Sequence, residues 1–212
     1  MKTLVVLFVI AIAGVASFGQ KEIKLDRTGV DPLSTEGMKR AGKFSSQGYE
    51  NWVLGFSIRP PAGFEKMEDP ETKEMLEKGI EEANAVAQKK ATEKPVSVSQ
   101  VLFHYAAKTG SLAAGLEKVR PQTTSQSYAE SNITNLNKYP QARISKPLAE
   151  RTFGGRSWQS YEVELTTNGV IVRQIYLMRI ELGHGLFLVS SIADPALEKD
   201  ILASLNSIKF KN

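Results

Sequence analysis

The sequence predicts an α+β fold, an antiparallel β-sheet flanked by helices on both faces. Three observations carry that expectation. The last third alternates strand-period segments with tight turns, which makes neighbouring strands antiparallel. Two of those segments, Val170–Leu182 and Leu186–Ala193, are apolar on both sides, as in strands covered twice. Segments of helical period, opened by Asp69-Pro70, Ser125 and Asp194-Pro195, supply the covers.

Taken from the start, Met1 and Lys2 precede an apolar run from Leu4 to Ala16, which exits through Ser17, Phe18 and Gly19. A positive start, an apolar stretch and a small-residue exit compose a secretory signal. The run falls short of the roughly 20 residues that span a bilayer. Cleavage is expected after Gly19, leaving Gln20 first, with Ser17 the other site that fits. With no cysteine in the chain a lipid anchor has no acceptor, and disulfides, thiolate sites and CxxC redox chemistry are excluded as well. Two histidines are too few for a multi-His metal site.

Apolar residues form 42% and charged residues 24% of the 212, which excludes disordered, collagen-like and membrane-bundle classes. The formal net charge is only +4, and the basic residues are not clustered as a nucleic-acid face requires. Residues 20–47 carry mixed charge and scattered apolar positions, and are expected to be a flexible leader. A single domain is expected over residues 48–212.

Within it, Trp52, Leu54, Phe56 and Ile58 alternate with Val53, Gly55 and Ser57 as a strand, stopped by Pro60-Pro61. Asp69 caps a helix whose stripe is Met75, Leu76, Ile80, Ala83 and Ala87. Val96–Tyr105 reads as a second strand. Ser111–Val119 fits a short helix or a loop, and Ser125–Tyr139 fits a helix carried by Ala129, Ile133 and Leu136. Asn132-Ile133-Thr134 matches a glycosylation sequon, discounted because Ile133 belongs to the buried stripe. Ser160–Leu165 then alternates, Asn168-Gly169 marks a hairpin, and Gly183-His184-Gly185 marks the next turn. A final helix carries Ala196, Leu197, Ile201, Leu202, Leu205 and Ile208.

No catalytic constellation emerges. There is no GxSxG, SxxK, GxGxxG or P-loop, and only His104 and His184 could act as a base. His104 is expected to be packed in a strand and His184 exposed in a turn. Glu162 and Glu164 share one strand face and could in principle do acid/base work, but alternating glutamates on a solvated face account for them more simply. Arg173 and Arg179 also share a face, interrupting an apolar strand, and a buried arginine needs a carboxylate or an anionic ligand. With Trp158 they are the candidate binding residues. Snorkelling to water accounts for the arginines, and core or rim packing accounts for Trp52 and Trp158, without any ligand.

Tyr49-Glu50-Asn51-Trp52, followed by Leu54–Ile58 and Pro60-Pro61-Ala62-Gly63-Phe64, resembles the opening of PsbP-like domains. Phe153-Gly154-Gly155-Arg156, the meander after it and the terminal Phe210 resemble their close, so the likeness covers residues 49–210. The superfamily is an α/β/α sandwich. It includes a photosystem II extrinsic subunit, a Ran-GTPase-binding nuclear factor and bacterial DcrB-like exported proteins. The resemblance implies a binding or accessory role, most members being non-enzymatic, and carries over no site residues. The expectation is therefore an exported, periplasmic or extracellular binding protein without cofactor or metal. Its partner would be an envelope protein or a small apolar or anionic ligand. The rival is a secreted hydrolase using Glu162, Glu164 or His184.

Overall fold

Four consecutive strands joined by two-residue links form a meander: β7 (Ala142–Phe153), β8 (Arg156–Thr167), β9 (Val170–Glu181) and β10 (His184–Ile192). A computed structural model describes residues 30–67, 100–167 and 169–211. The expected signal segment, the expected leader up to residue 29, the expected Asp69 helix, the first residues of the second predicted strand and Asn168 lie outside the described residues. The links at Gly154-Gly155 and Leu182-Gly183 place both of their residues at positive φ, between 48° and 76°. That conformation matches the twist of the paired strands, and glycine reaches it without a Cβ clash.

β10 carries the meander into the centre of a seven-stranded antiparallel sheet. Its order is β4 (Glu65–Lys66), β5 (Gln100–Ala107), β6 (Gly110–Lys118), β10, β9, β8, β7. Buried side chains line both sides of β6, β10 and β9, as the doubly apolar sequence requires. β6 is the segment read as a short helix or loop. Ala113, Ala114 and Gly115 have low strand propensity, yet their small size is what the site demands. A Cβ at Gly115 would lie 2.4 Å from the ring of Phe187 on β10. β7, the outer strand, is mostly exposed, and its pairing shifts register twice around Pro147.

One face of the sheet is covered by a helix, α2 (Ser125–Leu136). Thr124 and Ser127 form its capping box, and Tyr128, Ala129, Asn132 and Leu136 face inward. Asn132 accepts a hydrogen bond from the Tyr161 hydroxyl, so the sequon asparagine is itself buried.

The opposite face is where the expected helical layer fails. It is covered chiefly by a second, four-stranded antiparallel sheet of β1 (Gly42–Ser45), β2 (Gly48–Asn51), β3 (Phe56–Ile58) and β11 (Lys209–Phe210). Tyr49, Phe56 and Ile58 point from it into a core shared with Phe103, Leu116, Leu177 and Leu188. Two helices flank that sheet: α1 (Thr35–Arg40), through Met38, and α3 (Glu198–Asn206), through Ile201 and Leu205. The described residues are thus β-rich, with two sheets, and not a sheet sandwiched between helices. The physical reason lies in short alternations. Lys43-Phe44, Tyr49-Glu50, Phe56-Ser57 and Lys209-Phe210 each place one apolar and one polar residue on opposite faces of a strand too short to stand out in the sequence.

Two further expectations change. The C-terminal part of the supposed leader is folded, because Met38 is fully buried and Ser34 caps its helix by accepting from the Gly37 amide. Asp194 caps one turn of 3₁₀ helix, Pro195–Leu197, before α3 begins.

Leu182 takes φ 48° with its side chain half exposed. Leu182→Asn puts a residue tolerant of left-handed backbone there and should raise stability by about 1 kcal/mol. Urea denaturation of the two chains measures the difference, and an unchanged midpoint would mean that the turn stores no strain.

Candidate functional site

Arg173 and Arg179 lie on the face of β9 that carries Ile175 and Leu177, at opposite ends of that apolar pair. The structure separates them and gives each a carboxylate. Arg173 reaches Glu198 Oε1 on α3 at 2.6 Å, with Glu162 Oε2 at 3.9 Å. Arg179 holds Glu181 Oε2 at 2.8 Å and donates to the Ser157 carbonyl at 3.2 Å. Its guanidinium lies 5.5 Å from the Trp158 ring and 5.1 Å from that of Phe210. Burial pulls its pKa below the usual arginine value, and Glu181 resists that pull. Trp158 is fully buried, its indole N–H donating to the Phe153 carbonyl at 3.3 Å. Arg179 and Trp158 therefore form a packed post beneath Phe210, and Arg173 ties β9 to the first turn of α3.

The acid/base candidates are engaged as well. Glu162 accepts from Lys146 Nζ at 2.8 Å, and Glu164 pairs with Arg143, each across the β7–β8 ladder. Glu162 is buried, so the alternating glutamates do not share one solvated face. His184 opens β10, its Nδ1 3.1 Å from the Leu182 carbonyl oxygen. His104 is buried in β5, where desolvation lowers its pKa from 6.5 to about 4.

A different surface gathers groups that face solvent. Across the small sheet, Lys43 stands opposite Glu50, Glu50 opposite Ser57, and Ser57 opposite Lys209. Their neighbours Phe44, Tyr49, Phe56 and Phe210 turn inward, so this row lies on the outer face. Beside it the chain leaves β2 in a turn held by Asn51. The Asn51 side-chain amide donates to the Met38 carbonyl at 2.6 Å, and its Oδ1 accepts from the Leu54 amide at 3.1 Å. That turn ends the strand one residue before Trp52 and leaves it 72% exposed, not in the core or rim packing expected of it. Gly55 closes the turn at φ 61°, and a Cβ there would lie 2.9 Å from the Lys211 carbonyl oxygen.

These residues line a cavity of about 240 Å³, with Trp52, Gly55, Ser57, Lys43, Glu50 and Lys211 among its lining. Lys211 Nζ lies 3.9 Å from Glu50 Oε2. Two lysines, one carboxylate and an exposed tryptophan thus line the cavity, with Gly55 contributing no side chain. Sequence reasoning missed the site because it depends on register between four short strands. The available signal was the polar half of each two-residue alternation.

No family model matches the chain, and no curated protein matches it. Solved structures overlap it loosely. A Pseudomonas aeruginosa protein of unknown function, PA94, described as a putative regulator, overlaps at 9% identity and TM-score 0.45, over 57% of this chain and 88% of that one. LpqN of Mycobacterium tuberculosis, described as involved in cell envelope biogenesis, overlaps at 12% identity and TM-score 0.48, over 74% and 83%. A Bacteroides thetaiotaomicron protein overlaps at 9% identity and TM-score 0.43, over 81% of this chain and 48% of its own. Overlaps this loose assign neither a family nor a ligand, and they do not establish the PsbP-like arrangement.

Arg179→Met should keep an apolar stem beside the Trp158 and Phe210 rings but leave Glu181 unpaired, costing about 3 kcal/mol of stability by chemical denaturation. A loss of ligand binding at unchanged stability would instead make Arg179 a binding residue. His104 is neutral when folded and takes up a proton more readily when unfolded. Its contribution is complete above pH 6.5 and lost as pH falls toward about 4, by roughly 3 kcal/mol in all. Comparing the pH dependence of unfolding in wild type and His104→Phe checks this, and parallel curves would refute it.

Proposed function

We propose that this chain is an exported, non-enzymatic binding or accessory protein of the cell envelope or extracellular space, and that it binds through the outer face of its small sheet. The observation that carries the reading is Trp52, an aromatic held in water over a cavity by a buried asparagine. An exposed indole at such a position contributes nothing to the core, whereas at an interface tryptophan is among the strongest anchors. The secretory pattern of Met1–Gly19 supports the location. The hydrolase alternative gains no support from the geometry, because Glu162 and Glu164 are each held by a cation.

Native mass spectrometry of the protein isolated from its own host tests the reading. The expected wild-type species starts at Gln20 and carries a stoichiometric companion, which Trp52→Ala lacks. A companion retained by the variant would move the binding surface elsewhere, and an unprocessed chain would overturn export.

A further inference from the structure

Resting on that reading of the outer face, we infer that the Trp52 cleft is a binding site for a saccharide ring bearing a carboxylate, a uronic-acid type of unit. Each feature of the ligand answers a feature of the cleft. The volume of about 240 Å³ holds one ring, short of the several hundred that larger ligands fill. The exposed indole is a flat apolar surface. It suits the face of a pyranose whose axial C–H bonds all point one way, leaving the hydroxyls at the rim. Lys43 and Lys211 outnumber Glu50 at the edge of the cleft, which favours an anion. Charge-assisted bonds from ammonium groups to a carboxylate are the strong contacts open to it.

Glu50 separates this class from a plain aromatic anion. A carboxylate accepts hydrogen bonds only, and the Ser57 hydroxyl both donates and accepts. A ring carrying hydroxyls satisfies both residues. A flat anion such as benzoate gives Glu50 nothing to accept and adds like-charge repulsion. The lining agrees, since Gly55 contributes no side chain and Ser57 a short one, and Gly55 cannot gain a Cβ without meeting Lys211.

The test uses the processed chain and ligand-observed saturation-transfer NMR with three probes: methyl β-glucuronide, methyl β-glucoside and benzoate. The expected result is saturable binding of the glucuronide near about 1 mM, typical of a small ligand on an open surface. Transfer should be strongest to the protons of one ring face. Binding should weaken about fivefold in the Lys43→Ala, Lys211→Ala double variant, fall with added salt, and vanish in Trp52→Ala. Unchanged Trp158 fluorescence in that variant confirms that it is folded. Binding of the glucoside as tight as the glucuronide, or of benzoate tighter, would overturn the carboxylated saccharide while leaving the cleft a binding surface. Binding of none of the three, with the native companion still lost in Trp52→Ala, would overturn this ligand class alone. Binding of none, with the companion retained, would overturn the surface as well.

Discussion

A sheet that is apolar on both faces must be covered twice, and the rest of this molecule answers that demand. β10 and its neighbours β6 and β9 bury side chains on both sides, so neither face can be left to water. α2 meets the demand on one side with a capped amphipathic stripe. On the other, the N-terminal hairpin, β3 and the last strand combine into a second sheet flanked by α1 and α3. Burying an aromatic or aliphatic side chain is worth about 2 kcal/mol. Tyr49, Phe56, Ile58 and Phe210 thereby recruit chain segments from both ends to one cover.

The second cover has a consequence for chemistry. A helix packed on a sheet offers solvent a convex surface, whereas a short sheet offers a flat, ordered row of alternate residues. Lys43, Glu50, Ser57 and Lys209 are aligned by backbone hydrogen bonds, so their relative placement does not depend on side chains finding one another. Asn51 adds the remaining element. Its buried amide ends the strand and turns the next side chain outward.

Much of the large sheet was legible in the sequence because its information is local. Gly154-Gly155 and Gly169 mark turns, and the doubly apolar strands between and after them announce a central position. β6 was hidden for the opposite reason. Its Gly115 leaves room for the ring of Phe187 on the partner strand, and no local propensity records that. β7 escaped notice because an exposed edge strand has no apolar face to alternate. The arginines could be placed on one strand face from their spacing, but their carboxylate partners come from Glu198 and Glu181, which only packing identifies. The Trp52 cleft was the least legible, being assembled from four strands of two to four residues and a turn.

The outer edge of the large sheet has a bearing on how copies of this chain meet. Among the described strands β7 is the outermost of the large sheet, yet Pro147 removes a donor and two shifts in register bend the strand around it. Arg143, Lys146, Glu150 and Arg151 line it with charge. A second sheet trying to extend the ladder would meet a gap, a kink and desolvation of ions within one strand length. Polymerisation edge to edge is therefore disfavoured by the native strand itself. At high concentration, copies could then be neighbours without being templates for one another.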